Sequence, residues 1–199
     1  MFGDKLYPLK EERKITMIKG KAINLRTVRQ DDLEEMLLLI NDLSNTGLYW
    51  NVMLKSEPLF KRQYQDTGFW NDEFGTMVIT DKNDRLIGDI TYFKGVWYLP
   101  GYEVGYRIFK EEDRGKGYTT EALQIFVAYL FELKPINRIE IQLSKDNIPS
   151  RRVAEKCGFK YEGLKRQSVF SRGNYHDSEL FSLIREECQS LEQALSSDR

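Results

Sequence analysis

Apolar and polar positions along this chain switch between a period of two and a period near 3.6, and the switches mark its elements. Residues 21–28 alternate, with Ala22, Ile23, Leu25 and Val28 apolar, and predict a first strand. Asp31 and Asp32 then open an amphipathic helix over 33–43, their charges placed where a helix N-terminus favours acids. Residues 45–55 carry the large side chains Leu48, Tyr49, Trp50 and Met53 and read as a loop. A second helix is expected over 57–70, with Pro58 at an early position. Residues 76–80 and 86–93 are apolar and β-branched, and the turn formers Asp81, Lys82, Asn83 and Asp84 join them as a hairpin. A turn over 95–101, containing Pro100, leads into a strand over 102–109.

Helical spacing returns at 123–133, where Ala122, Leu123, Phe126, Val127 and Leu130 share one face until Pro135 ends the run. Residues 139–143 alternate as a strand, and 150–157 form a short helix closed by Gly158. Residues 159–170 and 175–184 read as a last antiparallel pair, turning at Arg172, Gly173 and Asn174. Residues 1–19 are charged and loosely patterned, a flexible or docked lead-in; the polar tail over 188–199 is expected to fray. With no repeat and no linker-like stretch, the order of elements describes one mixed α/β domain over residues 20–187.

Composition narrows the classes. At 199 residues, 41% hydrophobic and 31% charged, the chain can bury a sizeable core and is not of disordered type. Its 30 basic and 31 acidic side chains balance, so no overall positive field recruits nucleic acid. Cys157 and Cys188 lie outside any metal-ligand spacing and His176 is the sole histidine, so no metal is expected. Neither a signal-type apolar segment nor a membrane-length run occurs, and a cytoplasmic protein with reduced thiols is the expectation.

The stretch around which the rest is arranged is Arg114, Gly115, Lys116, Gly117, Tyr118, Thr119, between the strand over 102–109 and the following helix. A strand, a glycine turn and a helix start bring unpaired N–H groups and the positive end of a helix dipole to one spot, which suits a phosphate or diphosphate. A phosphate-binding P-loop fails because Gly117, not Ser or Thr, follows Lys116. A Rossmann fingerprint fails at Thr120 and at Leu143 and Ser144, where a small residue and a strand-ending acid belong.

Two spaced motifs add to this: Arg114-x-x-Gly117-x-Thr119, and Asn147-x-x-Ser150 followed by Glu155-Lys156-Cys157-Gly158-Phe159. Together they resemble the GNAT family of acetyl-CoA-dependent N-acetyltransferases, with its Q/R-x-x-G-x-G/A signature. The second motif is similar to the branch that acetylates protein amino termini, the RimJ/RimL type. The resemblance runs over nearly the whole element order from residue 21 to 184. It implies a single-domain GNAT (acyl-CoA N-acyltransferase) fold: a mixed, mostly antiparallel sheet with a splayed parallel strand pair and flanking helices.

Carried over residue by residue, the resemblance has the main chain of Arg114, Gly115, Lys116, Gly117, Tyr118 and Thr119 hold the diphosphate of acetyl-CoA. Arg107, Ile108 and Phe109 would offer backbone to its pantetheine arm, as a neighbouring strand would. Asn147 and Ser150 would touch the same arm from the second strand's end. An unpaired amide at the splay would stabilise the tetrahedral oxyanion. Thr119 departs from the signature's Gly or Ala. Many members also carry, as acid for the leaving thiolate, a tyrosine where Ala154 stands here; Ser150 is then the remaining donor, with a plain helix cap as its other reading.

An amine attacks a thioester only when neutral, so a base is needed, and Glu103 is the candidate. Its alternative is a solvated carboxylate or one paired with Arg107, four residues on and on the same strand face. His176 and Asp177 read as structural, with the acceptor cleft as the second choice. Lys145, Asp146, Arg151 and Arg152 read as surface charge, or as neutralisers of the adenosine 3′-phosphate. Tyr49, Trp50, Phe69 and Trp70 read as core or lid packing, or as pocket walls. The expected acceptor is a primary amine such as the α-amino group of a protein, with small amines (polyamine or aminoglycoside-like) next. A non-catalytic acyl-CoA-binding module is a further class; members of the family often dimerise, but nothing in this sequence commits the chain to a homodimer.

Overall fold

A computed structural model of the chain describes residues 16–50, 52–95 and 100–196. The strands are β1 (Ile18–Lys19), β2 (Asn24–Thr27), β3 (Phe74–Thr80), β4 (Leu86–Phe93), β5 (Tyr102–Ile108), β6 (Arg138–Ser144), β7 (Lys160–Ser171) and β8 (Asn174–Ile184). The helices are α1 (Leu33–Asn41), α2 (Glu57–Thr67), α3 (Tyr118–Leu133), α4 (Ile148–Lys156) and α5 (Leu191–Ser196). The strands form one sheet in the order β1-β2-β3-β4-β5-β6-β8-β7, antiparallel except for β5 beside β6. This is the mixed sheet with flanking helices that the sequence predicts. Most of the expected lead-in and the centre of the turn over 95–101 lie outside the described residues.

Two apolar layers cover the sheet. Ile23, Tyr92, Tyr102, Val104, Ile139, Ile141 and Phe181 meet the buried face of α3 (Leu123, Phe126, Leu130). On the other side Val78, Leu86 and Phe109 pack with Leu33 and Met36 of α1 and Phe60 of α2. Strand alternation therefore sends Tyr102, Val104, Tyr106 and Ile108 towards α3, and Glu103, Arg107 and Phe109 towards the α1–α2 side. The loss of either layer exposes roughly 1.5–3 kcal/mol for each large side chain released.

Several boundaries differ from the expectation, each for a local reason. Helix α2 stops at Thr67, short of Trp70, because Gly68 and Phe69 take φ of 60° and 54° and turn the chain out of the helix. Helix α3 starts at Tyr118, directly after Gly117 at φ 84°, so Tyr118 and Thr119 belong to its first turn and not to a loop. Residues 191–196 of the expected polar tail form a docked helix: α5 lays Ala194, with Leu191 and Leu195, on the α3 layer, and residues 197–199 lie outside the described residues. Its polar composition hid that face. No helix among the described residues is long and apolar enough to cross a membrane.

Candidate active site

The sheet is open at its centre. β5 and β6 pair only at Tyr102 with Ile139 and Glu103 with Glu140. Beyond that rung β5 stays with β4 through Ile108, while β6 stays with β8 through Ser144. Two parallel strands thus diverge from residues 104 and 141 onward and leave facing edges without a partner strand. Such an edge is a template for an extended chain of amides. Phe109 N–H donates to Ile87 O at 2.9 Å, so Phe109 is turned to β4. The alternation of an antiparallel ladder then turns Ile108 to the gap and Arg107, like Phe109, to β4.

The mouth of the gap is built from two helix starts. On the β5 side, Gly115 and Gly117 take φ of 74° and 84°, and no Cβ placed there would meet anything within 4 Å. Nothing among the described residues accepts from the amides of residues 115–120. Those amides and the start of α3 are arranged as a group that could hold an anion. Asp113 anchors the turn: its carboxylate, 2% exposed, takes Arg85 at 2.8 and 3.0 Å and Lys116 at 3.3 Å. Sequence reading passed over Asp113, because three acids in a row look like surface.

On the β6 side, Asn147 is the cap of α4; its side chain accepts from Ser150 N–H at 3.2 Å. Ser150 is therefore not the cap. Its Oγ lies 2.8 Å from the Tyr106 hydroxyl, a contact that spans the gap from α4 to β5. Tyr106 was not among the sequence candidates, since its place in the 102–108 alternation reads as core. Burial pushes its hydroxyl pKa up, Ser150 opposes the rise and Cys157 adds to it.

Glu103 sits on the last paired rung, on the face away from α3. Burial raises its carboxyl above the ordinary range; Lys165 pulls it down and Glu140 pushes it further up. Arg107 does not pair with it. That guanidinium holds Asp89, its partner across β4, at 3.0 Å and lies 5.4 Å from the rings of Trp50 and Phe109. Glu140 shares Arg138 with Glu162, so Glu103 is the carboxylate on this face without an ion pair among the described residues. A buried carboxyl on one face and a hydroxyl pair on the other thus flank the same opening.

The segment before α2 crosses the mouth. Arg114 donates to the Asn45 carbonyl, Arg172 to the Gly47 and Leu48 carbonyls at 3.3 Å, and Tyr49 OH to the Asp146 carbonyl at 2.7 Å. Of the four aromatics singled out from the sequence, Tyr49 and Trp50 lie here, whereas Phe69 packs on Phe60 at 4.8 Å and Trp70 on Tyr92 at 5.2 Å. Asp177 accepts from Gln167 N–H at 2.9 Å and Lys145 at 3.0 Å, and His176 Nε2 meets the Ser171 carbonyl at 3.2 Å. Arg151 is taken by Glu179, and Arg152 is exposed.

A mixed sheet pried apart at its one parallel pair, with a glycine turn and a helix start at the opening, defines an acyl-CoA N-acyltransferase architecture. The chain belongs to the GNAT acetyltransferase family: the Acetyltransferase (GNAT) domain model matches residues 22–160. It is an N-acetyltransferase. Two Bacillus subtilis proteins named as candidate N-acetyltransferases are similar to it. YjcK is 30% identical over 84% of this chain and 97% of its own length. YdaF, named as ribosomal, is 39% identical over 79% and 81%. Among solved structures, the spermidine N-acetyltransferase of Vibrio cholerae, in complex with CoA and spermine, superposes with a TM-score of 0.73. It is 21% identical, over 83% of this chain and 97% of its own, and so speaks for the fold.

Proposed function

We propose that the domain over residues 20–187 moves an acetyl group from acetyl-CoA to a primary amine, and that the amine is the α-amino group of a protein, as in the RimJ/RimL branch. The observation that carries this reading is the opened β5–β6 pair with a base candidate and a proton-donor candidate on its two faces. The amides of residues 115–120 fit a diphosphate and the Ile108 edge fits the pantetheine arm; the acyl thioester supplies the activated acetyl group. Glu103 takes the proton of the attacking amine directly or through water, and its raised pKa suits a base working near neutrality. Ser150 faces the leaving sulfur. Asn147 holds the turn that presents it.

The choice of acceptor rests on charge. A polyamine carries several positive charges and calls for several unpaired carboxylates. On this face Asp89, Glu140 and Glu162 are already held by Arg107 and Arg138, which leaves Glu103. A single amine on a neutral or acidic segment fits better, and the likeness to YdaF points the same way. The test is thiol release from acetyl-CoA with peptides bearing unblocked amino termini, set against spermidine, spermine and aminoglycosides. Peptide turnover with a kcat/KM at least tenfold above the small amines is expected. Turnover on polyamines alone overturns the acceptor assignment.

A further inference from the structure

The hydroxyl pair at the opening does more than fill space. The Tyr106 hydroxyl has two oxygens of Ser150 within reach, Oγ at 2.8 Å and the main-chain carbonyl at 3.3 Å. The carbonyl has no proton to give, and a phenol is a stronger donor than an alkyl alcohol. The phenol has a single proton and its shorter contact, 2.8 Å against 3.3 Å, is to Oγ, so we take Tyr106 as the donor there and Ser150 Oγ as the acceptor. An Oγ that accepts from one side has its own proton to place, and no second partner takes it among the described residues, which leaves it for a group entering the gap between β5 and β6. Ala154 lies one helical turn beyond Ser150 on the same face and is fully buried. A methyl there leaves the phenol to arrive from the strand and not from the helix.

We propose that Tyr106 is a positioning residue for the leaving sulfur: it fixes and polarises the Ser150 hydroxyl so that this proton meets the sulfur as the C–S bond breaks. The inference rests on the acetyl-transfer reading. In the step, the neutral amine forms the N–C bond, Glu103 takes the N–H proton, and the C–S electron pair leaves with the sulfur as a thiolate held by Ser150 O–H. The thiolate then takes from water the proton that Glu103 returns, so the products are an amide and a thiol. Burial of the phenol keeps its proton in place at working pH, and a chain of two hydroxyls strengthens the outer bond. Cys157, at the end of α4, is the other titratable group whose charge reaches the phenol.

Tyr106→Phe keeps the ring and removes the donor. Its kcat is expected to fall about tenfold, with KM for both substrates within about twofold. In a Ser150→Ala background the same change is expected to have no further effect, because Tyr106 acts through Ser150. Ser150→Thr, which keeps a hydroxyl, is expected to retain most activity. A second readout needs no turnover: the thiol pKa of bound CoA, followed by thiolate absorbance, is expected to rise by about one unit in Tyr106→Phe. The inference is overturned by an active wild type whose kcat and bound-thiol pKa ignore Tyr106→Phe. It is also overturned if Tyr106→Phe costs as much without the Ser150 hydroxyl as with it. Failure of the parent reading looks different, with no thiol released by the wild type on any amine, and it removes this inference too.

Discussion

Glu103, the proposed base, is a buried carboxyl at odds with stability. Burial raises its pKa, so the folded state binds a proton more readily than the unfolded chain. The sign follows: below the unfolded pKa near 4.3 this group costs nothing, and the cost of a buried charge grows as pH rises through the raised value. Glu103→Gln is expected to lower kcat by about 10²–10⁴-fold and to abolish the acidic limb of the pH–rate profile. The same variant should melt higher at pH 8, by about 2–4 °C for each kcal/mol relieved. A variant with normal rate and profile removes Glu103 as the base. Glu162 is the opposite case. Arg138, then Ser182, holds its pKa down to about 2, so its contribution is present above the ordinary glutamate range and fades as pH falls towards 2.

Legibility at the residue scale followed chemistry more than position. Asn147 and Ser150 were both visible, but which one caps α4 was not, since either type caps well. Only the 3.2 Å bond to Ser150 N–H assigns that task to Asn147. Tyr106 was invisible because a polar tip on a core-facing ring leaves the alternation unchanged.

Among the elements, the glycine turn is held by its neighbour. Asp113 ties it to Arg85 at the end of the β3–β4 turn, and Asp81 fixes that turn by accepting from Asn83 and Arg85 amides at 2.8 and 3.0 Å. Asp113→Ala is expected to weaken CoA binding about tenfold by calorimetry. The cost in stability is about 1–2 kcal/mol, discounted because Arg85 is 41% exposed. The loop before α2 crosses the other side of the mouth, and its proposed role is with the acceptor. Trp50→Ala is expected to raise the acceptor KM severalfold while CoA affinity stays within twofold; equal loss on both substrates contradicts that division. The turn types and order of these elements were legible, because Asp, Asn and Gly mark them directly. Cross-loop bonds were not, since they join residues about 70 to 125 positions apart.

For the whole molecule, α5 matters more than its composition suggests. Ala194 is 8% exposed, and Leu191 and Leu195 pack on the layer beneath α3. Truncation after Ser190 is expected to cost about 2 kcal/mol and to lower the melting temperature by several degrees. An unchanged melting curve speaks against that docking. The parallel pair of β5 and β6 and the site of the opening were legible through the family signature, whereas the place of β8 between β6 and β7 was not. The α5 docking was not, because six residues with two charges or amides carry too weak a period to read.

The strap across the mouth is gripped through oxygens that every amino acid possesses: the carbonyls of Asn45, Gly47 and Leu48. Its identity can drift while its moorings stay put. A library randomised at positions 45, 48 and 50, which spares the Tyr49 hydroxyl bond to Asp146, is therefore expected to change which amines are welcomed without rebuilding the grip on the acetyl donor.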